Sequence, residues 1–151
     1  MSTKGTPVVF RDCVFREFNE QYVVPNEKTY NSWYTDFSGV CQITAIELGA
    51  IPLAGNVTIK PGSAMVKIQS DPNVYAISRY GKLRKVTTEQ LAAQLYGTNW
   101  NQFVIDIPDV FFVNYTWNEP NSDITSLDQY SVVNELANST IECATAGGPG
   151  C

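Results

Sequence analysis

The chain has 151 residues, 44% of them hydrophobic and 12% aromatic, and a net charge of −5. That length can bury a real core as one compact unit or two small ones. The negative balance argues against a general nucleic-acid binder, and no apolar run of about 18 residues is present to span a membrane.

Residues 1–12 read as an extended arm, in which Pro7-Val8-Val9-Phe10 favours a strand that pairs with the body or with a neighbour. The stretch lacks the long apolar region of a secretory signal, which leaves a removed leader or another export route open. Residues 13–24 read as a hairpin around Asn19-Glu20. Pro25-Asn26-Glu27 then opens a helix with Asn26 as N-cap, and Tyr30, Trp33, Tyr34 and Phe37 follow at helical spacing. Such an aromatic stripe is ordinarily core; its other use is as a carbohydrate platform. A short strand is expected at 40–43, a short helix capped by Thr44 at 45–50, and a close of the unit at Pro52 and Gly55. Residues 56–63, NVTIKPGS, read as a connector with its turn at Pro61-Gly62. Asn56, Asn114 and Asn138 each begin a glycosylation sequon, to which no role is given.

The stretch 64–116 has clearer grammar. MVKIQ at 65–69 is a strand, Asp71-Pro72-Asn73 a turn, and VYAIS (74–78) with KLRKV (82–86) a hairpin around Arg79-Tyr80-Gly81, where Gly81 supplies a positive φ. Thr87 and Gln90 fit a capping box, with Val86 and Leu91 as its hydrophobic staple. Leu91, Ala92, Leu95 and Tyr96 share one helical face, and Gly97 stops the helix. Trp100, Phe103, Val104, Ile105 and Ile107 lead into a buried segment. Pro108 starts a last short helix carrying Val110, Phe111, Phe112 and Tyr115.

In residues 117–151 a polar linker is followed by an amphipathic helix over 126–138, with Leu127, Tyr130, Val133 and Leu136 at helical spacing, and then by a small-residue terminus. Two segments of the chain also run in parallel. VVPNEKTYNSWY (23–34) parallels KVTTEQLAAQLY (85–96), and residues 36–51 parallel residues 99–115. The expected fold is therefore α+β, with two small tandem repeat units (hairpin, helix, strand, helix) at 13–55 and 64–116, an N-terminal arm at 1–12 and an acidic C-terminal helical tail at 117–151.

Charge is also unevenly placed, with its break inside the second unit. Residues 1–85 hold all 10 Lys and Arg against 7 Asp and Glu, and residues 86–151 hold none against 8. Either these are ordinary solvated surfaces, or they make the subunit polar and orient its contacts. Arg79, Lys82, Arg84 and Lys85 concentrate positive charge on one hairpin. They read as a solvated edge that discourages sheet pairing, or as a contact with an acidic partner such as another subunit's tail.

Catalytic chemistry is hard to find. With no histidine, Ser-His-Asp and Cys-His arrangements and the common Cys/His zinc patterns are excluded. There is no phosphate loop or dinucleotide fingerprint. Carboxylates are paired at Asp106 with Asp109 and at Glu17 with Glu20, but Asp109 reads as a favourable charge at a helix N-terminus beside Pro108 before it reads as an acid/base group. The oxygen-rich set Asn118, Asn121 and Asp123, which lacks the glycine and closing Glu of a calcium loop, reads as a solvated linker before a calcium site. No cofactor and no metal are expected. Of the three pairings open to Cys13, Cys41, Cys143 and Cys151, Cys13–Cys41 and Cys143–Cys151 are favoured, which implies an oxidising setting; the alternative is free thiols.

The words VKIQSDPNVYAISRYGKLRKVTTE, LYGTNW and DIPDVFFVNYT resemble a short repeat of large secreted or surface-layer-associated bacterial proteins. The elements that carry the likeness are Val66-Lys67, Pro72, Val74-Tyr75, Ile77, Gly81, Arg84, Val86 and Ile107-Pro108-Asp109 through Tyr115. The likeness covers about a third of the chain well and the first copy more loosely. It implies a surface or wall-associated unit and no catalysis. The expectation is a non-enzymatic structural subunit of an extracellular assembly, a virion surface or a cell-surface filament or layer, whose partners are protein subunits. Arm and tail would reach neighbours, so loss of 117–151 would end assembly and leave a folded core. The alternative is a cell-wall or glycan-binding module that stacks sugars on Trp33, Trp100 or Trp117.

Overall fold

The computed structural model describes residues 21–38, 40, 42, 44–50 and 53–140. The arm, the hairpin turn at Asn19-Glu20, Glu17, Glu20 and all four cysteines lie outside the described residues, and so do the disulfide pairings. The elements are β1 (Gln21–Val23), α1 (Glu27–Trp33), α2 (Ala45–Gly49), β2 (Leu53–Asn56), β3 (Met65–Ile68), β4 (Asp71–Ser78), β5 (Lys82–Lys85), α3 (Glu89–Tyr96), β6 (Val104–Asp106), α4 (Asp109–Phe112) and α5 (Val132–Asn138). The fold is mixed α+β. β1 and β2 form a parallel pair, and the other strands form a four-stranded sheet in the order β5-β4-β3-β6. β4 runs antiparallel to β3 and β5, and β6 runs parallel to β3.

The four-stranded sheet is covered on both faces, and its side chains sort by the two-residue period of a strand. Val66, Ile68, Tyr75, Ile77 and Leu83 pack on one face with Ile59, Ile107, Phe112 and Tyr115. Met65, Ala76 and Val86 pack on the other with Leu91 and Ala92 of α3 and with Ile124 and Tyr130. A smaller cluster joins Val24, Tyr30 and Val57 to Trp33, Tyr34 and Val40. Full burial of an aliphatic side chain contributes about 1.5–3 kcal/mol, so the sheet's two faces carry most of the stability.

Several boundaries differ from those expected. α1 ends at Trp33 because Tyr34 is already extended, its N–H closing on the Tyr30 carbonyl. Phe37 reaches Tyr30 across the following turn, stacked at 4.5 Å, instead of along the helix. The β3–β4 turn lies at residues 69–70, since Ile68 pairs with Asp71. Asp71-Pro72-Asn73 is therefore the start of β4, and Pro72 is accommodated where the register shifts between Val66 and Ile68. The N-cap of α3 is Thr88, whose hydroxyl accepts from the Leu91 N–H at 3.1 Å. Thr87 instead donates its hydroxyl to the Ile124 carbonyl at 2.8 Å. The β4–β5 turn holds Gly81 at φ 66 as expected, with Tyr80 also left-handed at φ 63.

Two larger differences concern the segments read as loose. Residues 57–59 are buried, with Ile59 fully so, and its N–H donates to the Tyr115 hydroxyl at 3.1 Å. The Trp33 indole donates to the Thr58 carbonyl at 2.9 Å. This stretch joins α1 to the sheet instead of merely connecting. The helix expected over 126–138 is broken into a 3-10 turn at Leu127–Gln129 and α5, each started by its own serine, Ser126 and Ser131. Between them Tyr130 is extended, and its buried hydroxyl donates to the Ile77 carbonyl at 2.8 Å. Ile124 is fully buried, so residues 117–140 are part of the fold and not an appendage.

Candidate functional site

The basic hairpin binds the acidic segment of its own chain. Arg84 donates from Nε to the Ser122 carbonyl at 3.0 Å and from its terminal nitrogen to the Gln129 carbonyl at 2.7 Å. Its guanidinium also lies 5.9 Å from the Tyr130 ring centre. Lys82 pairs with Glu119 at 3.2 Å. The Lys85 carbonyl accepts from the Ile124 N–H at 2.8 Å, and that of Gly81 from the Thr116 N–H at 2.9 Å. Arg79 is exposed, and its charge together with that of Arg84 opposes the rise that burial imposes on the Glu135 carboxyl. The exposed ion pair contributes at most about 1 kcal/mol. The half-buried, two-pronged Arg84 contact fixes where the segment lies.

That placement forms a cleft of about 330 Å³ between the start of β4, β5 and the loop 117–123. Asp71, Asn73 and Tyr75 alternate along β4 and all line it, facing Leu83 and Lys85 of β5. The loop contributes Trp117, Asn118, Glu119, Ser122 and Asp123. Asn118 and Asn121 hold φ 61 and φ 60, a left-handed conformation that asparagine tolerates better than most residues, and so wind the loop tightly. Ser122 donates its hydroxyl to the Glu119 carbonyl at 2.8 Å.

The Asp71 carboxylate is held from two sides, by the Tyr75 hydroxyl at 2.7 Å and the Asn73 N–H at 2.9 Å. The Tyr75 hydrogen bond is the main reason its pKa lies below the usual aspartate value, followed by the Asn73 N–H. Burial, then the hydrogen bond to Asp71, raises Tyr75 to about 12. Because the folded pKa of Asp71 is depressed, its contribution to stability is complete above the unfolded value of about 3.9 and fades as pH falls through the folded one. Asp71→Asn should therefore flatten the fall in thermal stability below about pH 4, as read from melting curves across pH.

The three tryptophans do not share a surface. Trp33 is half-buried in the α1 cluster, with Lys60 5.5 Å above its ring. Trp100 is half-buried against the α3 cluster. Trp117 is 51% exposed and lies 5.5 Å from the Phe112 ring, at the cleft. Of the carboxylates paired in the sequence, Asp106 bonds Lys67 at 3.2 Å and Asp109 sits in the first turn of α4. Among the described residues no group of three or more Asp, Glu, His or Cys could hold a metal ion, and no helix is long and apolar enough to cross a membrane.

The sequence reading gives Asp71 and Asn73 only a turn and Tyr75 only a place in the repeat likeness, and none of the three a site role. Their alternation in D-x-N-x-Y was the available signal, masked by the turn-like composition of Asp-Pro-Asn. No family profile matches the chain, and searches of curated proteins and of solved structures found no match.

Proposed function

We propose that the protein is a non-enzymatic structural subunit of an extracellular surface assembly, built from two tandem units that obey one pairing rule. The observation behind the tandem part of this reading is a parallel pairing found twice. The strand before the first helix of each half pairs with the segment after its second helix. In the first half Val23 accepts from the Val57 N–H at 2.7 Å, and in the second Lys85 accepts from the Ile124 N–H at 2.8 Å. β1 pairs parallel with β2, and parallel bridges join Lys82 to Thr116 and Val86 to Ile124.

The spacing supports the same reading. α1 starts at Glu27 and α3 at Glu89, an offset of 62, and each is capped by the side chain of the residue before it. α2 starts at Ala45 and α4 at Asp109, an offset of 64. Units of this size are marginal alone and gain stability from packing on a neighbour; here the connector between them packs Ile59 into the second unit's core beside Tyr115. Exposed apolar side chains at Ile46, Val110 and Val113 offer surface for further subunits. With the segment 117–140 occupied in its own chain, these surfaces and the arm 1–12 are left to make the contacts.

Light scattering of the purified protein tests the reading. Species heavier than the 16.7 kDa chain, growing with concentration and lost on Val110→Asp/Val113→Asp substitution, are expected. A 16.7 kDa monomer at every concentration would contradict it.

A further inference from the structure

We propose that the cleft between β4, β5 and the loop 117–123 binds a neutral saccharide through a Trp117 stacking platform. This is independent of the assembly reading, since it concerns a concave polar site instead of the exposed apolar side chains. Trp117 is 51% exposed as a residue, yet its ring is backed by Phe112 at 5.5 Å. An exposed but supported aromatic face suits the apolar C–H face of a sugar ring, because the ring is presented without a large loss of freedom on binding.

The remaining walls supply what the hydroxyls of a sugar need. Asn73 and Asn118 provide amides that both donate and accept, Lys85 provides an ammonium, and Asp71 and Asp123 provide acceptors. Asp71 is already oriented by Tyr75 and Asn73. An ionised carboxylate has about four acceptor positions, so the two bonds it accepts leave room for sugar hydroxyls. A cleft of about 330 Å³ is at the small end of ligand sites and matches one or two sugar rings.

Charge selects among saccharides. Asp71, Glu119 and Asp123 line the cleft against Lys85, and Glu119 is already paired with Lys82 outside the lining set. The balance is negative, which disfavours phosphate-bearing or uronic-acid polymers and leaves neutral and N-acetylated sugars as the class that fits.

The test uses the full chain titrated with chitotriose, cellotriose and mannotriose, followed by calorimetry and tryptophan fluorescence, with trigalacturonate as the anionic comparison. At least one neutral trisaccharide should bind with a Kd on the order of 1 mM or tighter, and trigalacturonate should bind at least about tenfold more weakly. Trp117→Ala should weaken the neutral ligand about tenfold or more, and Asp71→Asn should weaken it too, while Trp33→Phe leaves it unchanged. No heat or fluorescence response to any neutral trisaccharide at about 10 mM would overturn the proposal. So would a response that survives Trp117→Ala. A change in oligomeric size with Trp117→Ala, without any saccharide response, would assign the indole to contact between copies and would equally overturn it.

Discussion

Deleting residues 117–151 should abolish cooperative unfolding of the remaining chain, not merely its contacts with neighbours. Ile124 is fully buried and Tyr130 nearly so, both against Met65, Ala76, Val86 and Leu91 on one face of the four-stranded sheet. Their removal exposes that face. It also takes away the Tyr130 hydroxyl from the buried Ile77 carbonyl, and the carbonyls of Ser122 and Gln129 from Arg84. Two large side chains at about 1.5–3 kcal/mol each, with a buried acceptor left unpaired at about 1–3 kcal/mol, approach the whole stability of a domain this size. The truncated chain should show no sigmoidal denaturant transition by circular dichroism. Ile124→Asp in the full chain should reproduce most of the effect, because it places an unpaired charge in a fully buried position. A truncated chain that unfolds cooperatively near the full-length midpoint would restore the view of this segment as an appendage.

Gly62→Ala is the second change expected to be costly. Gly62 has φ +82, and a Cβ there would lie 2.7 Å from the Val132 carbonyl oxygen, 2.9 Å from Leu136 Cγ and 3.0 Å from the Leu136 nitrogen. Backbone atoms of α5 cannot rotate aside, so the helix must lift from the Pro61-Gly62 turn. The left-handed conformation costs an alanine about 1–2 kcal/mol, and the displaced packing about 1–3 kcal/mol more. A loss of about 3 kcal/mol should lower the urea midpoint with the slope unchanged. At Gly97, φ +93 and ψ 175, nothing lies within 4 Å of an added Cβ, so Gly97→Ala should cost conformational strain alone, in a glycine-only region distinct from the left-handed helical one.

The parts of the fold legible in the sequence are those whose signals are local. The β4–β5 hairpin with Gly81, the apolar face of α3 and the short helix after Pro108 all lie where spacing and turn residues put them. Misreadings arose where two local signals conflicted. Asp71-Pro72-Asn73 has turn composition, yet the tighter turn before it and the shifted register let Pro72 enter a strand. Leu127, Tyr130, Val133 and Leu136 have helical spacing, but Ser126 and Ser131 start separate turns and Tyr130 is turned into the core. Val133 is accordingly exposed.

Long-range placement was not legible. The basic hairpin reads from sequence as a solvated edge or as a contact for an acidic partner such as another subunit's tail, whereas Arg84 and Lys82 bind the chain's own residues 119–129. Nothing in local spacing distinguishes these two cases, because charge complementarity is the same within a chain as between chains. The cleft was hidden for a related reason. Its walls come from residues 71–75, 83–85 and 117–123, which only the fold brings together.

The central claim is that one pairing rule closes both halves, and native-state hydrogen exchange reads it directly. The Val57 and Ile124 amides, bonded to Val23 at 2.7 Å and to Lys85 at 2.8 Å, should both be strongly protected. Rapid exchange at Val57 while Ile124 stays protected would mean that the second half alone is closed in this way, and would contradict the tandem reading.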